Sequence, residues 1–221
     1  MSTLKDETIA ARSLARQGLH LLASLDDAAE DSGPVLACLS SAAEKVLKLT
    51  IGLASLDSTK SWPSVKQMKK FDHDVIALNL AARDACLGRV IGADIPHIPV
   101  RAFMNSDDMV WTKPMLEALS NYGSGGRFYN LDHLAGRSQL HPSPGAMWNS
   151  MERSVLGDMP ELVGLYALQH VNDADMRLNL NVQLTRAFEA WWLFYQVCWK
   201  HGVLGDRARA LSLTGSSQSR V

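Results

Sequence analysis

The chain has 221 residues, with 22 lysines and arginines, 23 aspartates and glutamates, and a formal net charge of −1. This length is sufficient for one domain with its own hydrophobic core. Because the charges balance, no overall positive field draws the protein to nucleic acid or to an anionic membrane, and any basic surface must be local. The composition therefore excludes binding driven by a high net charge.

The cysteines and the terminal segment predict a cytoplasmic protein. Cys38, Cys86 and Cys198 lie far apart in apolar segments, with no CxxC pair and no even-numbered disulfide framework, so we expect buried thiols in a reducing compartment. The polar segment 1–7 lacks the basic and apolar regions of a secretory signal. The apolar segment 187–199 is too short to cross a bilayer. We expect no membrane association.

Hydrophobic periodicity predicts two helices at the start of the chain. Apolar residues spaced by three and four predict the first over residues 7–30. The segment 31–34 is expected to end it and to begin the second, because Ser32 can cap a helix and Pro34 suits a first helical turn. The second helix then covers residues 34–56.

A polar loop over 57–63 precedes a predicted third helix over 64–91, whose apolar stripe repeats every three to four residues. Most of the prolines, and a glycine cluster, fall in the next segment, 92–160, which is predicted to be an irregular insertion with short helices. We expect a helix over 113–122 within it, and an extended stretch over 95–100 because of two prolines.

A long apolar helix is predicted over 174–201, with Gly202 ending it, and the polar residues 214–221 are predicted to form a disordered tail. No alternation of apolar and polar residues is long enough to build a sheet. The expected fold is an all-α helical bundle with an irregular Gly/Pro-rich insertion before the last long helix. We expect one domain over 1–221, with core helices over about 7–91 and 174–213.

Arg127 and His133 are the candidate catalytic residues. A histidine near neutral pH can act as general acid or base in RNA cleavage, and a guanidinium can hold the scissile phosphate, while RNA supplies the 2′-hydroxyl. The chain holds 13 arginines and 7 histidines, so a pair at such a spacing is expected about once by chance. Enzyme status is therefore left open.

The glycine cluster 123–126 is a candidate substrate-binding loop. Gly125 and Gly126 can expose backbone N–H groups to a phosphate, to which Arg127 would add charge and Asn130 a polar contact. The loop is not a P-loop, because the closing Gly-Lys-Ser/Thr is absent. A flexible hinge is the alternative, in which Asn130 only caps a helix.

Other kinds of chemistry have weaker support. The segment 72–74, Asp-His-Asp, and the pair Asp94 and His97 contain ligand-type residues without metal-site spacing, so neither a metal nor a cofactor is predicted. The apolar neighbours of the cysteines argue against a nucleophile. The aromatic cluster of segment 191–199 can stack bases, but an apolar helix of this kind usually forms a core or an interface.

Two segments resemble the HEPN superfamily of helical domains, in particular its abortive-infection and uncharacterised bacterial branches. That family has a helix with an acidic-lysine motif, followed by a short loop and a helix that begins with His-Asp. Here Glu44-Lys45 and His73-Asp74 take those places, within the segments Ser40–Leu49 and Lys70–Leu78.

The resemblance implies a helical fold and, for many members, a dimeric metal-independent ribonuclease of a defence or toxin system that uses an Arg-x4-6-His motif. In this sequence the motif maps onto Arg127 and His133, although the family ordinarily has it on a late helix. RNA and a second copy, bound through apolar helices, are then the expected partners. Two alternatives stay open: a non-catalytic interaction or regulatory module, and a small-ligand-binding helical protein.

Overall fold

The protein is all-α in the computed structural model, which describes residues 2–92, 111–139 and 141–213. No strand occurs in these residues, and a short 3₁₀ helix, Gly126–Phe128, lies among the α-helices. The α-helices of the described residues are α1 Ser2–Ala23, α2 Ala28–Thr59, α3 Val65–Lys69, α4 Val75–Gly92, α5 Thr112–Ser124, α6 Tyr129–Leu134, α7 Pro144–Gly157, α8 Pro160–Ala167, α9 Asp173–Lys200 and α10 Asp206–Leu213.

The predicted helical bundle and its last long helix are confirmed. Helix α9 begins after Asn172, whose side chain accepts a hydrogen bond from the backbone N–H of Asp175 at 2.8 Å and so caps the helix. Gly202 follows its end with a φ of +72°, the left-handed conformation that glycine adopts without a Cβ penalty. The helix boundaries therefore follow from local capping chemistry.

The predicted break between the first two helices is wrong. It lies at residues 24–27, where the side chain of Asp27 accepts from the N–H of Ala29 at 2.7 Å and caps α2. The segment 31–34 lies inside α2, with Ser32 buried and Pro34 in the helix interior. Proline there removes one hydrogen bond, but the packing of a helix of 32 residues outweighs that loss.

The predicted third helix is two helices, α3 and α4. A capping box between Ser64 and Gln67 begins α3. After α3, Asp72 takes a left-handed φ of 45°, which a regular α-helix does not contain. The Asp74 carboxylate then accepts a hydrogen bond from the N–H of Ala77 at 3.0 Å at the start of α4. Hydrophobic periodicity predicts that both aspartates lie within one helix, but they lie in the turn between α3 and α4.

The described part of the predicted irregular insertion is more helical than expected. The helix predicted over 113–122 is present as α5, and α7 adds 14 residues that begin with a Ser143 cap and Pro144 in the first turn. The stretch predicted to be extended, 95–100, and the predicted tail, 214–221, lie outside the described residues.

Helix α2 is central, since it packs against α1, α4, α5 and α7. The aromatic residues of α9 fill the core. Asn79 of α4 provides the hydrogen-bond acceptor for two of them: its Oδ1 accepts from Trp191 Nε1 at 2.8 Å and from the Tyr195 hydroxyl at 2.7 Å. Trp191, Phe188 and Tyr195 are fully buried. The apolar face predicted to form a dimer thus packs within the chain, and the dimer stays a prediction.

Two of the predicted buried thiols are confirmed. Cys86 and Cys198 are buried, while Cys38 is half-buried. The pKa of Cys86 is raised, first by its hydrogen bond with the Cys198 thiol and then by burial. The Cys86 thiol is therefore held in the protonated, unreactive form. Within the described residues, no helix has the length and hydropathy needed to cross a bilayer.

Replacing Asn79 by alanine leaves two buried donors of α9 without an acceptor. We expect the free energy of unfolding to fall by about 2–4 kcal/mol. Chemical denaturation of both proteins measures this loss. The exposed Asn149→Ala is the matched control and should change stability by less than about 0.5 kcal/mol. Equal effects of the two substitutions would contradict the role of Asn79.

Candidate functional site

A pocket of about 380 Å³, with five charged side chains in its lining, opens between the first two helices, the loop before α3 and the 3₁₀ helix. Helix α2 supplies most of its wall, because residues three, four and seven apart lie on one helical face. The pocket is lined by Glu7, Ser41, Glu44, Lys45, Lys48, Leu49, Trp62 and Arg127.

The lining carries three cations and two carboxylates. Lys45 pairs with Glu7 at 2.5 Å, and Lys48 pairs with Glu44 at 2.6 Å. Arg127 is exposed and makes no hydrogen bond or ion pair within the described parts of the chain. One positive charge is therefore left uncompensated at the pocket, and it sits on the side chain best suited to a phosphate.

Glu44 joins the pocket to a histidine. Its side chain is only 16% exposed; Oε1 accepts from Lys48, and Oε2 lies 3.0 Å from Nδ1 of His73, whose side chain is 43% exposed. Burial would raise the pKa of Glu44, but the hydrogen bonds and charges of Lys48 and His73 together lower it below the ordinary 4.5. The carboxylate is thus held ionised.

The loop that carries the histidine is fixed at both ends. Lys48 Nζ donates to the Asp72 carbonyl at 2.8 Å. On the other side, Ser120 Oγ of α5 accepts from the N–H of Val75 and donates to the carboxylate of Asp74, each at 3.1 Å. The imidazole is therefore positioned by α2 and α5 together.

The first glycine of the cluster sits against this loop. A methyl group at Gly123 would lie 3.1 Å from both the His73 carbonyl and Ser40 Oγ, so glycine allows the end of α5 to approach the loop closely. Ser40 Oγ in turn donates to the Leu119 carbonyl at 2.9 Å, which ties α2 to α5. Gly123 thus has a packing role beside the site.

The structure places the two predicted catalytic residues differently. Arg127, in the 3₁₀ helix, lines the pocket. His133, in α6, is exposed and is not part of the pocket lining, and no hydrogen bond joins the two side chains in the described residues. The structure therefore places Arg127 at the pocket and His133 away from its lining, and the roles of both residues stay predictions.

The predicted substrate-binding residues flank Arg127. The N–H of Gly125 donates to the Asn121 carbonyl at 3.2 Å and ends α5. Gly126 is buried, where a methyl group would lie 2.9 Å from Cγ of Pro144. Asn130 is exposed in α6. The cluster therefore sets the position of Arg127 through its backbone, and substrate contacts by these three residues stay predictions.

Sequence reasoning missed most of the pocket. It used Glu44 and Lys45 as marks of a family resemblance, and it considered His73 only for that resemblance and as a metal-ligand type. The sequence did contain a signal: the spacing of Ser41, Glu44, Lys45 and Lys48 places these polar residues on one face of a helix. Within the described residues, no group of three or more metal-ligating side chains comes together, and Asp94 and His97 lie outside those residues.

A second cavity, of about 280 Å³, differs in its charges. Its two carboxylates, Asp57 and Asp206, are matched by two cations, Lys60 and Arg207. Asp57 is also bonded to Arg89 at 2.6 Å, and Asp206 to Arg209. The formal charges of this lining sum to zero and it contains no histidine, so the Arg127 pocket, with a lining charge of +1 and the Glu44–His73 pair beside it, is the better candidate site.

The chain matches no model of a known protein family, no curated protein and no solved structure. The chemistry of the pocket is therefore argued from its geometry alone. The lining contributes an unpaired arginine, two lysines and the mostly buried carboxylate of Glu44, and this carboxylate is hydrogen-bonded to His73, which lies outside the lining. This combination can bind a phosphate and can move a proton beside it.

The Glu44→Gln substitution tests whether the mostly buried carboxylate stabilises the protein, through the dependence of the melting temperature on pH. A carboxyl group whose pKa is lowered by folding stabilises the protein above 4.5, and this contribution is lost as the pH falls through the folded pKa. We expect the wild-type melting temperature to drop more steeply than that of Glu44→Gln between about pH 5.5 and about pH 3. The exposed Glu189→Gln should follow the wild type; parallel curves for all three would refute the assignment.

Proposed function

We propose that the protein is a HEPN-like, metal-independent endoribonuclease of a defence or toxin system, with the scissile phosphate bound at Arg127. The observation that carries this proposal is the unpaired Arg127 guanidinium at a pocket with Lys45 and Lys48, next to the Glu44–His73 pair. A planar guanidinium binds two phosphate oxygens at once, and the lysines add point charges.

The reaction uses the 2′-hydroxyl of the substrate as the nucleophile. A base takes the proton from O2′, O2′ forms a bond to the adjacent phosphorus, and the bond from phosphorus to O5′ breaks. O5′ takes up a proton from an acid or from water. The products are a 2′,3′-cyclic phosphate and a 5′-hydroxyl end, and the reaction needs neither a metal nor a redox partner.

We assign the base to His73. Its Nδ1 faces the Glu44 carboxylate at 3.0 Å, which favours the proton on Nδ1 and leaves Nε2, which lies 3.6 Å from the exposed Asp72 carboxylate, to accept one. Its half-exposed side chain is open to substrate. His133, the imidazole that sequence reasoning favoured, is the candidate acid for O5′, since its exposed ring has no partner in the described residues.

Cleavage of single-stranded RNA in the presence of a chelator tests the proposal. We expect the wild type to release fragments with 2′,3′-cyclic phosphate ends. Arg127→Ala and His73→Ala should each lower the rate by about 100-fold or more, because each removes a group that acts on the reacting phosphate or hydroxyl. His133→Ala should slow the reaction only if His133 supplies the acid.

Matched controls separate these effects from general damage. Arg207→Ala removes an exposed arginine at the other cavity, and His170→Ala removes an exposed histidine, so both should cleave like the wild type. Circular dichroism checks the fold of every variant. No cleavage by the folded wild type would refute the ribonuclease and would favour an interaction or small-ligand protein. A loss with His133→Ala but not with His73→Ala would move the base to His133.

The carboxylate of Glu7 competes with a bound phosphate for Lys45. Glu7→Gln removes that charge and releases Lys45, so we expect a 2′-deoxy oligonucleotide, which cannot be cleaved, to bind about 2- to 5-fold more tightly. Fluorescence anisotropy at fixed salt measures this. Glu189→Gln makes the same change in net charge away from the pocket. An equal gain in both variants would show that net charge alone is responsible.

A further inference from the structure

An exposed tryptophan borders the same pocket. Trp62 lies in the loop before α3, remains 40% exposed, and lines the pocket together with Arg127 and the two lysines. Exposed tryptophans are uncommon, because burying a ring of this size is strongly favourable. Its place beside phosphate-binding cations therefore calls for an explanation.

The indole is held in place from one side. Gly52 of α2 leaves a notch for it: a methyl group at position 52 would lie 2.1 Å from Cη2 of Trp62. Pro63 restricts the backbone of Trp62 to extended conformations. The capping box of Ser64 and Gln67 begins the next helix two residues later. This packing restricts the ring before any ligand binds, which lowers the conformational entropy lost on binding.

In the described residues the indole has neither an aromatic stacking partner nor a cation over its face. The aromatic contacts of the described residues all lie within α9, and the cation–π contact there is Arg83 over Phe194. No lysine or arginine therefore covers the face of Trp62 in the described residues. Trp62 Nε1 likewise has no hydrogen-bond partner among them.

We infer that Trp62 is a stacking platform for one base of single-stranded RNA whose neighbouring phosphate lies at Arg127. Sequence-tolerant binding of single strands combines a cationic groove with aromatic rings on which bases stack, and this pocket supplies both. Its volume of about 380 Å³ is within the range for a small ligand. The inference rests on the proposed ribonuclease site and names its substrate class: unpaired strands, because bases in a duplex do not offer their faces.

Two oligomers of ten nucleotides test the stack. Both are 2′-deoxy strands, so neither is cleaved; one carries bases and the other is abasic with the same phosphates. We expect the wild type to bind the base-bearing strand about 5- to 150-fold more tightly than the abasic one, and Trp62→Ala to lose this difference. Trp62→Phe should keep most of it, and the abasic strand should bind all three proteins equally.

Two further variants make the test decisive. Tyr166→Ala removes an aromatic side chain that is 42% exposed on α8, outside the pocket lining, and should bind like the wild type. Gly52→Ala keeps the indole but displaces it, and should weaken binding of the base-bearing strand alone. Circular dichroism and melting confirm that each variant is folded.

The outcomes separate the two proposals. Retention of the base-dependent difference by folded Trp62→Ala and Gly52→Ala would overturn the stacking role and leave the ribonuclease site intact. Failure of the wild type to bind either strand, with no cleavage of RNA, would overturn both. Equal binding of the two strands by the wild type, with cleavage present, would overturn the stack alone.

Discussion

The hydrogen-bonded carboxylate of Glu44 is the interaction on which the site depends. One oxygen bonds Lys48 on the same helix, and the other faces His73 in the loop before α4. A carboxylate that is mostly buried must be paired or bonded, because an isolated charge in an apolar surrounding is costly. Its two partners meet this requirement and, in doing so, connect α2 with a loop 29 residues later in the chain.

Buried hydrogen bonds hold together the scaffold around this carboxylate. Asn79 anchors the aromatic core of α9 to α4, and Thr50 of α2 accepts a hydrogen bond from Trp199 at 3.0 Å. Because these bonds are buried, breaking one leaves an unsatisfied polar group. These bonds hold α2, α4 and α9 in fixed positions relative to one another. The polar groups on the outer face of α2 are positioned with them.

Local sequence signals predicted the elements that have strong local causes. The apolar periodicity of α9 and the glycine after it were sufficient, and so was the overall absence of strand alternation. The break before α2 was misplaced because Asp27 and Ser32 are both plausible caps, and only packing decides between them. The turn at Asp72 was missed because the left-handed conformation of a single aspartate leaves no periodicity signal.

The pocket was less accessible to sequence reasoning than the fold. Its members come from Glu7, the middle of α2, Trp62 and Arg127, and only tertiary packing brings them together. Arg127 could be selected because its chemistry is distinctive, whereas Trp62 gave no sign until its packing against Gly52 was visible. A spacing motif such as that of Arg127 and His133 describes neighbours along the chain, while the site is made of neighbours in space.

The proline inside α2 divides that helix into two parts of unequal importance. Pro34 lacks the N–H that would bond the carbonyl of Glu30, so the first turns are secured mainly by the Asp27 cap and by buried residues such as Ser32. Glu44 lies ten residues beyond the proline, roughly 15 Å along the axis. The leading turns therefore depend on the cap and on burial, whereas the segment around Glu44 lies in the part of the helix where the backbone ladder is uninterrupted by proline.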